Sequence, residues 1–543
     1  MARPLPLRLP GFGFKLNEAM ALKAIPAQGY VTNVLDKSKL TDMFSKKNLF
    51  PTFVPATIDG SAAIRDRVHD GLGHQRASVQ SKGFVETGNI LVYDAGVVKS
   101  DTAIPTSLRD ALKAAAACLE DVPDEKKDYH PHSDDQVLNL VHPSLFPVIY
   151  GRTRIIKDGV LGIQEGIARM GSGEVLKIPS REETTISPDD RIPDVPVPVY
   201  TPYSQKFQWL PCDVEFTAGY SLAEGVEKDQ ARNKCNVTSY INNTHPKRHP
   251  DLYRVIERVM SLAVALWNIT LSSFEETRFY ARVPYYGCDL EIDPEAVKLY
   301  KKPEGSDDDE DETYYTCLEE WEARVHKAVL PEPTDGFYSP SENISVDLQR
   351  DYGKTGLQVI VKLANIHLTL EKPKYSGGTW NIEGQWNEHI CATALYYYDS
   401  VNITESRLAF RQCSAAYDTD HMYYAQDNHG WVQEVFGCSA YGPPVQEVGD
   451  VVCKEGRLIN FPNFLQHRVS PFELQDPSKP GHRKILALFL VDPNIRIISS
   501  ANVPCQRRDW WEEEVQSRGQ AAPEVTRRGY ISIRRLPNID GRG

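Results

Sequence analysis

The spacing of apolar and polar positions divides the chain into two unlike parts. Over residues 251–271 apolar side chains recur at helical intervals (Leu252, Val255, Ile256, Val259, Met260, Leu262, Ala263, Leu266) behind Pro250 and a capping Asp251. That stripe predicts one long core-facing helix. Residues 107–119, opened by Ser107 and rich in alanine, predict another. From about residue 330 onward the period shortens to that of strands. Segments 346–349, 357–370, 389–398, 407–412, 431–436, 451–453 and 484–492 read as successive strands separated by Gly, Pro, Asn and Asp. So many short strands within about 150 residues imply a sandwich, jelly roll or barrel-like core.

Between these parts, residues 135–154 alternate apolar clusters with proline, as short strands or packed irregular chain do. Residues 180–202 and the acidic stretch 303–312 read as surface loops. The acidic stretch lacks the spaced ligands and glycine of a calcium loop. The expected organisation is a mixed, partly helical region over 1–330, a β core over 331–503, and a tail over 504–543 that packs back through Trp510 and Trp511.

Composition narrows the function classes. The chain has 543 residues, 41% hydrophobic and 25% charged, with a formal charge of -13, so a sustained grip on nucleic-acid phosphates is not expected. The apolar run 485–491 is far shorter than the roughly 20 residues that cross a bilayer, and proline and arginine interrupt the first ten residues. A soluble, cytoplasmic protein without nucleic-acid or membrane partners is expected. Its ten cysteines contain no Cys-x-x-Cys pair and read as reduced thiols. Neither a phosphate-binding glycine loop nor a Gly-x-Ser-x-Gly elbow is present.

Candidate chemistry concentrates near the C-terminus. A polar loop carrying Asn381 and Glu383 leads into an apolar, aromatic strand; His467 follows 84 residues after the acid, and Arg483 opens a buried strand 16 residues later. This order suits a jelly-roll iron oxygenase, in which a carboxylate and histidines occupy one face of Fe(II) and leave positions for a 2-oxo acid and O2. Arg483 would pair with the far carboxylate of 2-oxoglutarate. Tyr396 and Tyr398, on one strand face with Tyr397 on the other, could add hydroxyls there. Arg407 and Arg411 share a face too, either pairing at the surface or pointing toward an anionic substrate.

The wording of several segments resembles a fungal family of large proteins of unknown function related to Fe(II)/2-oxoglutarate-dependent oxygenases. The matching phrases are Leu140-Val-His-Pro-Ser-Leu-Phe-Pro, Gln208-Trp-Leu-Pro, Ser239-Tyr-Ile-Asn-Asn-Thr-His-Pro, Tyr397-Tyr-Asp-Ser-Val-Asn-Ile-Thr, Gly456-Arg-Leu-Ile-Asn-Phe-Pro-Asn-Phe-Leu-Gln-His and Pro480-Gly-His-Arg-Lys-Ile-Leu. The resemblance implies an α+β protein with a C-terminal double-stranded β-helix (jelly roll, cupin-like), Fe(II) and 2-oxoglutarate as cofactors, and a small organic substrate in fungal specialised metabolism. Glu383 and His467 would hold the metal, with Asn381 at the first ligand position, and Arg483 would hold the 2-oxo acid.

One departure bears on the metal. The family pattern reads Trp-His-x-Glu-Gly, where this chain has Trp380-Asn381-Ile382-Glu383-Gly384. An amide oxygen is a weaker ligand for iron than imidazole nitrogen. Asn381 still ligates, or the cavity serves a metal-independent isomerase, a cyclase or a small-molecule binder, or position 381 has been altered to trap an inactive complex. His389 would lie about 25 Å from Asn381 on an extended chain. His132-Ser-Asp134 and His421 read as exposed loops, and residues 239–246 as a capping and turn device.

Overall fold

The computed structural model describes residues 87–93, 95–184, 203–217, 234–272, 289–299, 346–413 and 445–517, with scattered positions between 315 and 329. The acidic stretch 303–312, the strand expected at 431–436 and His421 lie outside the described residues. In chain order, the first part contributes β1 (Asn89–Tyr93), β2 (Val97–Ser100), α1 (Thr106–Glu120), β3 (Asp128–Tyr129), β4 (Val137–Val141), β5 (Cys212–Phe216), β6 (Cys235–Val237) and α2 (Pro250–Ser272). The second contributes β7 (Leu357–Leu368), β8 (Lys374–Tyr375), β9 (Ile390–Val401), β10 (Ser406–Cys413), β11 (Val445–Cys453), β12 (Leu458–Pro462), β13 (Gln466–Val469), β14 (Phe472–Glu473), β15 (Gly481–Val491) and α3 (Arg508–Ser517).

The protein is a mixed α/β fold built on a large antiparallel sheet. Ten strands join in the order β1-β2-β12-β9-β15-β7-β4-β3, with β5 also paired to β7 and β6 to β5. A smaller sheet has the order β11-β10-β13, and β8 pairs with β14. From β7 onward the chain passes back and forth: β7, β9, β12 and β15 lie in the large sheet, β10, β11 and β13 in the small one, and β8 and β14 pair with each other. The first part of the chain extends the same large sheet at both ends, so the two regions share a hydrogen-bonded core.

Each face of the large sheet is covered by a different layer. On one face, Val359, Val361 and Leu363 of β7 and Leu486, Leu488 and Leu490 of β15 pack against α1 and α2, where Trp267 is completely buried. On the other, Ile360, Tyr397, Phe461 and Phe489 meet Leu408, Phe410 and Val451 of the small sheet. Strands buried on both faces read as near-continuous apolar runs, which is the pattern of β7, β9 and β15. Helix α2 is apolar and long enough to cross a membrane, yet it is mostly buried in this fold; its stripe is a core stripe.

Several local expectations change. Residues 346–349 belong not to a strand but to a helical turn, Leu348–Tyr352, because the Asp347 side chain accepts hydrogen bonds from the backbone N–H groups of Gln349 and Arg350 and caps it. Helix α1 begins after Pro105 with no side-chain cap, so Ser107 lies inside its first turn. Strands β12 and β13 are not signalled by the sequence pattern, being short, with β12 ending in Pro462 and only residues 463–465 between them. Trp510 of α3 is buried against Ile167 and Tyr240. Residues 239–246 are a turn device, in which Ser239 Oγ meets Ser500 Oγ at 2.6 Å and the Tyr253 hydroxyl donates to the Thr244 carbonyl at 2.9 Å. The seven cysteines described are unpaired.

Candidate functional site

The site is assembled where the loop before β9 meets β13. Asn381 and His467 form an antiparallel bridge, Asn381 N–H donating to the His467 carbonyl at 3.1 Å and His467 N–H to the Asn381 carbonyl at 2.9 Å. Residues opposed in this way project to the same face, and Glu383, two positions on, shares it. His467 Nε2 lies 3.1 Å from Glu383 Oε1. Asn463 holds the acid's backbone from both sides: its Oδ1 accepts from Glu383 N–H at 3.0 Å, and its Nδ2 donates to the Glu383 carbonyl at 2.8 Å. Gly384 then turns the chain at φ +68°, where an added Cβ would sit 2.8 Å from Ile390 Cδ1.

Burial works to raise the Glu383 carboxyl. The hydrogen bond with His467 and the charges of Lys362, His467 and His130 outweigh it, holding the pKa below the ordinary carboxylate value. The His467 ring packs on Phe461 at 4.9 Å between centroids, and its Nδ1 is buried without a hydrogen-bond partner. The Asn381 amide is satisfied, by the network around it, when Nδ2 donates to the carbonyls of His467 at 3.0 Å and Thr379 at 3.1 Å. Oδ1 is then the atom left to offer a cation. Among the described residues no three His, Cys, Asp or Glu converge in a way that could hold a metal ion. The fit to iron is therefore two strong donors, Glu383 and His467, and one weak one.

Arg483 occupies the other end of the same interior. It alternates with Ala487 and Phe489 on the face of β15 that turns toward the small sheet, and it is only 2% exposed. One guanidinium nitrogen donates to Ser406 Oγ on β10, and the group lies over the rings of Tyr397 (5.5 Å) and Phe472 (5.1 Å). Its Nε has no partner, and no carboxylate among the described residues lies within ion-pair distance. A buried guanidinium so placed carries an unmet demand for an anion.

The other expected residues are arranged differently. Tyr396 and Tyr398 point to the helix-covered face with Leu486 and Leu488, away from Arg483, and the Tyr398 hydroxyl donates to Asn365 Oδ1 at 3.3 Å. Tyr397 is the tyrosine of the Arg483 face. Arg407 and Arg411 lie opposite Leu408 and Phe410, outside the space between the sheets: Arg407 pairs with Asp450 at 2.6 Å and with Glu405, while Arg411 donates to Gln466 Oε1 at 2.7 Å and stacks on Trp380 at 4.5 Å. Arg468 covers the same indole at 4.7 Å. This cation–π stack fastens the loop that carries Asn381. His389 is buried with its ring against Tyr203 at 6.1 Å, and His132 and Asp134 are exposed.

Residues from the first part of the chain complete the wall. Trp209 lies against Phe489 at 6.0 Å, and His142 lies between Trp209 (6.5 Å) and His130 (5.6 Å). Glu388, fully buried, fastens the loop after Glu383 to this wall by accepting from the N–H groups of Trp209 at 2.7 Å and of Gln385. Burial pushes its carboxyl up from about 4.5 to about 7, and those hydrogen bonds only partly oppose the rise. A carboxyl raised in the folded state stabilises it fully below the unfolded value, and that contribution disappears as pH climbs through about 7. The unfolding free energy from denaturant titration is therefore expected to fall between pH 5 and pH 8, by roughly 3 kcal/mol at most. Glu388→Gln should remove this component of the pH dependence, and an unchanged slope would contradict the assignment.

The sequence pattern assigned no role to Lys362, Asn463 or Ser406, and set Tyr397 on the face opposite the tyrosines it favoured. For Lys362 a signal existed, a lone cation inside the apolar run 357–370.

This geometry defines a mixed α/β protein in which Arg483 and the Glu383–His467 pair lie between two antiparallel sheets. The chain belongs to the family described as Protein of unknown function (DUF4246), which residues 73–514 match. No curated protein matches the sequence. Among solved structures it is similar to a bsmA homolog from Methylobium petroleophilum PM1, at 13% identity over 31% of this chain and 57% of that one, with a TM-score of 0.16. It is similar also to the Fe(II)/(alpha)ketoglutarate-dependent dioxygenase TqaL, at 12% identity over 30% of this chain and 51% of that one, TM-score 0.17. A third similarity is to IDO from Bacillus thuringiensis, at 8% identity over 31% and 68% of the two chains, TM-score 0.16. The chain spans little more than half the length of the first two.

Proposed function

We propose that the protein is a divergent non-haem Fe(II)/2-oxoglutarate-dependent oxygenase acting on a small organic molecule, and that its two facing sheets are a double-stranded β-helix. The alternation of successive strands between the sheets supports the fold reading. The observation that carries the functional one is Arg483, a buried guanidinium with no carboxylate partner among the described residues, facing the same interior as the Glu383–His467 pair. In this reading Glu383 and His467 hold the metal, Asn381 Oδ1 takes the third protein position, and Arg483 receives the distal carboxylate of the 2-oxo acid. Bound iron would supply oxygen activation at the expense of the 2-oxo acid. The protein's own part is to hold both in a dry space, with Tyr397 and Phe472 shielding the guanidinium from water and so strengthening its pairing with a carboxylate.

A second reading has an observation in its favour. The Asn381 amide is already satisfied by the carbonyls of His467 and Thr379, which suits a cavity that works without iron and uses Glu383 and His467 as an acid–base pair. Succinate formation from 2-oxoglutarate in air, with Fe(II) added, separates the two. Release of succinate above a protein-free control is expected. Its absence both in this protein and in the Asn381→His variant would overturn the oxygenase reading.

A further inference from the structure

The interior holds a second cation that neither the family resemblance nor the metal site accounts for. Lys362 lies in the middle of β7, directly opposite Ala487 of β15. Opposed residues of an antiparallel pair share a face, and Ala487 belongs with Ile360 and Phe489 to the core between the sheets. The lysine is half-buried, and no carboxylate among the described residues lies within ion-pair distance of it. Its charge acts on Glu383, which is already engaged by His467. Among the described residues the same space thus contains two cations, Lys362 and Arg483, against the Glu383 carboxylate, and neither cation has an ion-pair partner.

Their spacing selects a ligand. Arg483 lies two same-face positions from Ala487, so the Lys362 and Arg483 backbones are about 14 Å apart. A five-carbon dicarboxylate has roughly 5 Å between its carboxylate carbons by standard bond lengths. With a hydrogen bond at each end it bridges two cations whose side chains lean together from that separation. Between them the face carries Ala364 and Ile485, and Ala364 leaves room for the carbon chain.

Resting on the oxygenase reading for the role of Arg483, we propose that Lys362 is a second carboxylate-binding residue, so that the cavity grips a short linear dicarboxylate at both ends by protein groups alone, without metal. The distal carboxylate sits on Arg483 and Ser406, and the carboxylate beside the oxo group sits on Lys362. A chain whose first metal position holds a weak ligand would thereby keep its 2-oxo acid in place by charge.

Calorimetric titration of the full chain with 2-oxoglutarate in excess EDTA tests this, using Lys362→Met, Lys362→Arg and Arg483→Met alongside. The wild type is expected to bind; Lys362→Met should weaken binding about 10- to 100-fold, as loss of a charge-assisted hydrogen bond does, while Lys362→Arg stays within a few-fold. Absence of wild-type binding until Fe(II) is added anaerobically would overturn the role of Lys362 and leave that of Arg483 standing. So would unchanged affinity in Lys362→Met alongside a loss in Arg483→Met. Unchanged affinity in both variants would bring down the underlying carboxylate site as well.

Discussion

Asn381→His raises the affinity of the protein for Fe(II), or for Co(II) as a spectroscopic probe, by at least about 10- to 100-fold, the size of effect seen when an existing ligand is merely repositioned. The backbone bridge to His467 already sets position 381 opposite that histidine, with Glu383 on the same face. The Trp380 stack between Arg411 and Arg468 holds the loop from outside, so the substitution changes the donor atom more than the scaffold. Imidazole nitrogen replaces a neutral amide oxygen and suits Fe(II) or Co(II) better. Visible absorption of the Co(II) complex reads the outcome directly. If the affinity is unchanged, position 381 does not face the metal held by Glu383 and His467.

Arg483→Met acts in two directions at once. Truncating one partner of a buried charge pair costs about 2–5 kcal/mol of binding, so 2-oxoglutarate affinity should fall roughly 30-fold or more. The protein without ligand should become more stable, because methionine of similar length removes a buried charge that no carboxylate among the described residues compensates. Each kcal/mol gained moves the melting midpoint by about 2 °C or less in a fold this large, since the shift shrinks with size. Loss of affinity with a raised midpoint marks a residue kept for its ligand at a cost in stability. A lowered midpoint with binding intact would make Arg483 a structural residue held by Ser406, Tyr397 and Phe472.

Much of the architecture was readable because its signals are periodic. The stripe of α2 and the long apolar runs of β7, β9 and β15 survive any reasonable tertiary context, and of the four residues Asn381, Glu383, His467 and Arg483 the structure pairs Asn381 with His467 by backbone and Glu383 with His467 by side chain, with Asn381 itself exposed. The choice of tyrosines failed for a physical reason. Alternation separates Tyr396 and Tyr398 from Tyr397, but β9 is buried on both faces, so hydrophobicity carries no information about which face meets the helices and which meets the small sheet. Arg407 and Arg411 posed the same problem, and only the packing of Leu408 and Phe410 resolves it. The 346–349 segment misled because a short apolar run is compatible with strand or helix, and Asp347 as a cap decides for the helix. Lys362 was legible in principle: a charge in mid-run is costly unless something meets it.

The account rests on the space between the two sheets being the ligand cavity. The most direct measurement is a crystal structure of the protein grown with 2-oxoglutarate. The account predicts electron density for the dicarboxylate between β15 and the small sheet, with its distal carboxylate within hydrogen-bond distance of the Arg483 guanidinium and its other end toward Glu383, His467 and Lys362. Density for the ligand elsewhere, with Arg483 still stacked on Tyr397 and Phe472 and no anion beside it, would contradict the account.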